Sequence, residues 1–237
     1  MSVPTPLLFL NGRAPTALLE RLKAHLSPDA GEHRSLIMAP PSLLPAAWME
    51  PGALWAADGG ANLLWKAGLP AAVVVGDLDS VWPEALRWHT EQGARVLERP
   101  DQERNDLEKA LDELLRAGHG GCWVAAFEGG RLDMQLGLGT WLAPGRTPLL
   151  RLAGEEQCVL RLEPGRHQLD LAPDSLFSLV AMEPCLLSLN GARWSGSDFW
   201  LEPGCHGVSN LATGHAVEIQ VKEGWLLLAF SAPWSRP

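Results

Sequence analysis

Along roughly the first 145 positions, short apolar runs alternate with segments whose apolar residues recur at spacings of three and four. Leu7 to Leu10, Ser35 to Ala39, Ala53 to Ala57, Ala72 to Val75 and Cys122 to Phe127 predict strands. Ala17 to Leu26, Ala61 to Ala67, Glu84 to Glu91, Asp106 to Arg116 and Asp133 to Leu142 predict amphipathic helices. Strands alternating with helices predict a parallel sheet covered by helices, because parallel neighbours need a crossover between them. Four prolines interrupt the stretch 39–52, which predicts a loop with at most a short helix. The pattern changes near Ala143 to Pro148, where proline and glycine mark a connector. Beyond it, runs such as CVLRL, HQLDL, LFSLVAM, AVEIQV and WLLLAF are separated by Gly, Pro or Asn-Gly, and several alternate with period two. An α/β domain over 1–145 and an antiparallel β domain over 149–237 are the expected organisation.

Composition narrows the partners. With 46% hydrophobic and 20% charged residues over 237 positions, the chain is long and apolar enough to bury its own core. A formal charge of −9 with no basic stripe argues against nucleic acid, and it requires a metal ion or placed donors wherever a polyphosphate binds. Cys122, Cys158, Cys185 and Cys205 form no C-x-x-C pair, so buried free thiols are expected rather than a zinc or redox site. The N-terminus has no signal-like n-region, and no apolar run approaches the ~20 residues of a membrane span. A cytoplasmic protein that does not bind membranes is expected.

Chemistry concentrates at four strand-to-helix junctions. Val73-Val-Val-Gly-Asp-Leu-Asp-Ser80 is an apolar strand that ends by presenting Asp77 and Asp79. Open α/β sheets bind ligands beyond the carboxyl ends of their strands, and two hard oxygen donors there suit Mg²⁺ together with substrate phosphates. A surface turn would use the same residue types. Leu54 to Asn62 runs from a strand through Asp58, Gly59 and Gly60 into a helix, where glycines admit a ligand to the backbone and the helix start offers N–H groups to an anion. It has neither a Walker lysine nor G-x-G-x-x-G spacing, so it is no P-loop and no dinucleotide fingerprint. In Pro100 to Ala110, Asn105 and Glu108 form a capping box, which leaves Asp101, Gln102, Glu103 and Asp106 as candidate metal and nucleotide contacts. Phe127 to Asp133 repeats the order of strand, glycines and helix. Its Arg131 is available either to phosphate oxygens or to a local ion pair with Asp133.

The series ADGGAN at 57–62, GDLDS at 76–80, PDQERND at 100–106 followed by LEKAL, and GGRLD at 129–133 closely resembles the thiamin pyrophosphokinase family. That family shows ADGGAN, GD-x-DS, a DQ-x-x-TD-type segment with LEKAL, and GGR-x-DH in this order. LLFLNGRAP is similar to its first strand and loop, and LNGARW at 189–194 and GVSNLATG at 207–214 are similar to its G-x-x-W and S-x-SN segments. The resemblance covers nearly the whole chain. It implies a Rossmann-like N-terminal domain, a C-terminal β-sandwich, and a homodimer whose sites lie between the N-terminal domain of one subunit and the C-terminal domain of the other. It also implies Mg²⁺-dependent transfer of the diphosphate of ATP to the hydroxyl of thiamin.

In those terms Asp77, Asp79 and Asp106 are the metal-site acids, and with Arg131 and Asp133 they make the catalytic set. Asp58, Gly59, Gly60, Asn62, Gln102 and Arg131 contact the nucleotide. Trp194 faces the cationic thiazolium, a natural partner for an aromatic ring, while Ser209 and Asn210 hydrogen-bond the pyrimidine. Three positions depart from the family pattern. Asn105 stands for threonine, and both cap helices well. Gly207 replaces the first serine of S-x-SN, and Met134 replaces the histidine of GGR-x-DH. These departures keep two alternatives open: transfer to another hydroxymethyl heterocycle, and a non-catalytic protein that binds a nucleotide or thiamin.

Overall fold

A computed structural model of the chain describes residues 5–26, 54–146 and 148–232. The expected strand Ser35 to Ala39 and the expected loop 39–52 lie outside the described residues. The first half runs β1 (Leu7–Phe9), α1 (Thr16–Leu26), β2 (Leu54–Ala57), α2 (Gly60–Ala67), β3 (Val73–Gly76), α3 (Pro83–Glu91), β4 (Arg95–Glu98), α4 (Asp106–Arg116), β5 (Gly121–Ala125) and α5 (Leu132–Trp141). Each predicted helix is present, with bounds within two residues of those expected. Strand β4 carries no apolar run, which is why the hydrophobic pattern did not announce it. It lies at the sheet edge, with Arg95 and Glu98 exposed at its ends, and pairs parallel to β3.

The second half contributes β6 (Leu149–Ala153), β7 (Gln157–Leu162), β8 (Gly165–Asp170), β9 (Leu176–Ala181), β10 (Cys185–Asn190), β11 (Gly196–Leu201), β12 (Asn210–Leu211), β13 (Ala216–Glu223) and β14 (Leu226–Ser231). One sheet of ten strands has the order β12-β9-β14-β7-β6-β5-β1-β2-β3-β4, and a second has β11-β10-β13-β8. All pairs from β6 to β4 are parallel, and those from β6 outward to β12 are antiparallel. Strand β6 therefore departs from the antiparallel expectation for its stretch: the chain crosses over through α5 and lays Leu149–Ala153 parallel to β5. The sheet continues through the connector into the antiparallel β region.

Alternate residues of each parallel strand feed opposite faces of the sheet. Leu7, Phe9, Ala56, Val74 and Trp123 pack with Leu18 and Leu22 of α1 and Leu64 of α2, and this core continues into Leu160, Phe177, Leu187 and Ile219 of the β region. Leu8, Trp55, Val75 and Val124 pack with Leu107, Leu111 and Leu114 of α4 and Leu138 of α5. A polar joint ties the two regions. Arg161 of β7 donates from one guanidinium nitrogen to the carbonyls of Ala143, at 2.6 Å, and Leu142, at 3.3 Å, which are left unpaired where α5 ends. Cys122, Cys158 and Cys185 are buried as expected, but Cys205 lies on an exposed loop, so the expectation of four buried thiols fails at that residue.

His89 of α3 is fully buried. Its Nδ1 accepts from the Ala71 N–H at 3.2 Å and its Nε2 donates to the Ala61 carbonyl at 2.8 Å, which ties α3 to α2 and to the start of β3. One acceptor and one donor are met by the neutral ring alone, and burial lowers the pKa below its usual 6.5. Below about pH 6.5 the unfolded chain therefore takes up a proton that the folded chain refuses, so stability present above that pH is lost as the pH falls. Urea unfolding should give a free energy that is flat from pH 8 to 7 and declines from pH 6.5 to 5.5. His89→Gln, whose amide can supply the same donor and acceptor, should flatten that decline, and an unchanged slope would remove His89 as its cause.

Candidate active site

The chain adds β2, β3 and β4 successively on one side of β1 and then returns to place β5 on the other side. This reversal of strand order leaves a crevice at the carboxyl ends of β1, β2 and β5. A cleft of about 470 Å³ lies there, lined by Asn11 and Gly12 after β1, Asp58 after β2, Ala126, Phe127, Gly129, Gly130 and Arg131 after β5, Asp106 at the start of α4, and Met134 of α5. Its floor is stiffened by backbone bonds between loops: the Gly12 N–H donates to the Ala126 carbonyl at 2.8 Å and the Arg13 N–H to that of Glu128 at 2.5 Å.

Three carboxylates gather at this edge. Asp58, Asp77 and Asp79 each present an oxygen within 4.8 Å of the others, a separation that one divalent cation could bridge. Asp58 is 5% exposed, and burial, with the nearby Asp106 charge, raises its pKa against the opposing hydrogen bonds from Gly59 and Ser80. For Asp77, burial would raise the carboxyl, but hydrogen bonds from Lys109, the Asp79 N–H and Gln102, together with the Lys109 charge, hold it below the ordinary range. Asp79 accepts from the Ser80 hydroxyl at 2.9 Å. The all-oxygen, all-carboxylate donor set fits a hard cation such as Mg²⁺.

Of the expected metal acids, Asp77 and Asp79 fall in this group of three and Asp106 stands outside it. Asp58 joins the two acids of the β3 loop, while Asp106 is paired with Lys109 at 3.0 Å. Lys109 also reaches Asp77 at 3.1 Å, and its side chain is only 2% exposed. Sequence reasoning passed over Lys109 as one more residue of an amphipathic helix. Its spacing of three from Asp106 was the available signal, since that places both on one face of α4.

Other expected contacts turn out to hold the loops themselves. Asn62, buried in the first turn of α2, donates to the Ser80 carbonyl at 2.8 Å and accepts from the Trp82 N–H at 2.9 Å, so its amide clamps the loop that carries Asp77 and Asp79. At Gly60 a Cβ would sit 2.2 Å from the Phe9 carbonyl, and at Gly59 one would sit 2.4 Å from the Asn11 amide. These glycines thus let α2 start against β1, a packing reason that the ligand-approach argument did not include. Gln102 donates to Asp77 at 3.1 Å. Arg131 and Asp133 form a local pair at the rim, with N–O distances of 3.1 and 2.5 Å, and are largely exposed.

The C-terminal candidates do not line this cleft. Trp194, 59% exposed, lies on the turn after β10. Asn210, buried at the start of β12, accepts from the Trp194 N–H at 3.2 Å and donates to its carbonyl at 3.1 Å, and it also accepts from the Leu211 N–H at 2.9 Å. Its amide fixes the backbone that presents the indole. The Ser209 N–H donates to the Ser178 hydroxyl at 3.0 Å, and Ser209 holds a left-handed backbone with φ 65°.

Residues 44–143, which include all four junctions of the cleft, match the model of the thiamin pyrophosphokinase catalytic domain. Over nearly its whole length the fold is similar to those of solved thiamin pyrophosphokinases. That from Bacillus subtilis is 19% identical with a TM-score of 0.73, covering 96% of this chain and 99% of its own. That from Candida albicans is 14% identical with a TM-score of 0.68, covering 96% and 89%. The yeast enzyme is also 14% identical with a TM-score of 0.68, covering 98% and 87%. The chain is thus similar to thiamin pyrophosphokinases in its catalytic-domain match over residues 44–143 and, at such low identity, in its fold.

Proposed function

We propose that the protein transfers the diphosphate of ATP to the hydroxyl of thiamin, releasing AMP. The observation that carries this reading is the carboxylate group of Asp58, Asp77 and Asp79 at the carboxyl edge of the sheet, inside the matched catalytic domain. In the proposed reaction the acceptor hydroxyl oxygen bonds to the β-phosphorus as the bond from that phosphorus to the α,β-bridging oxygen breaks, and AMP leaves with that oxygen. A carboxylate of the cluster takes the hydroxyl proton. Mg²⁺, held by Asp58, Asp77 and Asp79 with Asp106 alongside, would neutralise phosphate charge as it develops. The remaining work is positioning. Asn62 holds the acid-bearing loop, Gln102 and Lys109 orient Asp77, and Arg131 can exchange Asp133 for a phosphate oxygen at the rim. Trp194, Ser209 and Asn210 stand away from the cleft, so a homodimer in which a second copy's β region faces it would complete the thiamin side.

A second reading, transfer to a different hydroxymethyl heterocycle, is favoured by two observations. Met134, half-exposed in the cleft wall, offers neither a proton nor a strong hydrogen bond at the position of the histidine in the GGR-x-DH pattern. At Gly207 a Cβ would lie 2.2 Å from the Leu179 carbonyl oxygen and 3.1 Å from a methyl carbon of Leu201. A serine there cannot be restored without moving the loop.

A coupled assay for AMP release, with Mg²⁺, ATP and thiamin or a panel of heterocyclic alcohols, separates the two readings. With thiamin as acceptor, Asp77→Asn and Asp79→Asn should each lower turnover by about 100-fold or more; the thermal melt of Asp79→Asn should stay close to that of the wild type, and that of Asp77→Asn should fall because the buried Lys109 loses a charged partner. Near-native turnover in both variants would refute the metal assignment. Brisk AMP release with another alcohol and none with thiamin would establish the second reading. Gly207→Ser should destabilise the fold by about 1–3 kcal/mol through overpacking against β9, read as a lower urea midpoint. An unchanged midpoint would show that the loop yields easily.

A further inference from the structure

Lys109 is the cation buried closest to the proposed metal site. Its ammonium lies 3.1 Å from an Asp77 oxygen and 3.0 Å from an Asp106 oxygen, and the side chain is 2% exposed. The pairing joins the loop after β3 to the first turn of α4. The same Asp77 oxygen also accepts from Gln102, while the other oxygen of Asp77 accepts from the Asp79 N–H. Arg131, the cation in the cleft lining, is paired with Asp133 at the exposed rim and leaves the acids to Lys109.

A fixed positive charge bonded to Asp77 of the cation site and to the adjacent Asp106 repels any second cation brought there, and with so little water around the ammonium the repulsion is poorly screened. A polyphosphate carries enough negative charge to reverse that balance. We infer that Lys109 is a positioning residue that keeps the acid cluster from holding a divalent cation by itself, so that the cation is bound together with a polyphosphate ligand. The inference rests on the metal reading of the proposed function and adds an order of assembly to it. A lysine that served only as a strut between β3 and α4 would affect stability and leave cation affinity where it was.

Mn²⁺ binding followed by the electron paramagnetic resonance signal of the free ion tests this without turnover. The nucleotide-free wild type should bind Mn²⁺ weakly, and Lys109→Met should bind it about tenfold more tightly or better. Lys109→Arg, which keeps the charge, should stay within about threefold of the wild type. With a non-hydrolysable ATP analogue present, the wild type should gain at least about tenfold beyond the affinity of the analogue alone for Mn²⁺, and the advantage of Lys109→Met should shrink. If Lys109→Met affinity lies within about twofold of wild type, or the wild type gains nothing from the analogue, the assignment is overturned. Should Lys109→Met fail to fold by circular dichroism, Lys109→Gln and the two wild-type titrations carry the same test. A wild type that binds no Mn²⁺ with or without the analogue would instead refute the metal site itself, and this inference with it.

Discussion

Placing the carboxyl groups of Asp58, Asp77, Asp79 and Asp106 at one edge of a sheet is electrostatically unfavourable, and the buried ammonium of Lys109 is what holds Asp77 and Asp106 together there. Much of the site's construction depends on this contact. Helix α4 starts where it does because Asn105 and Glu108 form a reciprocal capping box, and that start puts Asp106 and Lys109 one turn apart facing β3. On the far side, Asn62 pins the loop after β3 through Ser80 and Trp82. The acids are thus gripped from both neighbouring helices, which limits the conformational entropy that a bound cation or phosphate would otherwise remove.

The sheet has a comparable economy of construction. Strand β6 accepts a parallel bond pattern from β5 on one edge and an antiparallel one from β7 on the other, so a helix-covered sheet becomes part of a β region without an intervening linker. One hydrophobic core runs from beneath α1 and α2 into the space between the two sheets. Arg161 closes the seam by taking up the carbonyls at the end of α5. The cleft lies on the parallel part, so it inherits the rigidity of central strands and draws its chemistry from the loops at their ends.

The positions that depart from the family pattern have different physical characters. Met134 is half-exposed in the cleft wall, so a different side chain could be accommodated there with little rearrangement. Gly207 is closed in by the backbone of β9, and its carbonyl accepts from the Leu179 N–H at 2.8 Å, so the absence of a side chain is built into the path of the loop. A change that repacks a loop is more deeply embedded than one on an open wall. The departure at Gly207 is therefore carried by the path of the backbone as well as by the missing side chain.

The sequence by itself determined the helices, the central strands and the four strand-to-helix junctions, because apolar periodicity and glycine-acid punctuation are local and need no partner to be read. It also supplied the capping box at Asn105, which forms as the spacing required. It could not show β4, an edge strand without an apolar face, nor the parallel pairing of β6, which depends on where the α5 crossover delivers the chain. The functions of individual polar side chains were decided by tertiary structure. Asn62 and Asn210 read as ligand contacts, yet both amides are taken up by backbone groups of distant segments. Asp58 and Asp77 are 19 positions apart and become neighbours only when β2 and β3 pair. Lys109 looked like an ordinary residue of α4, and its role became visible only once folding had removed it from water and set it between two carboxylates.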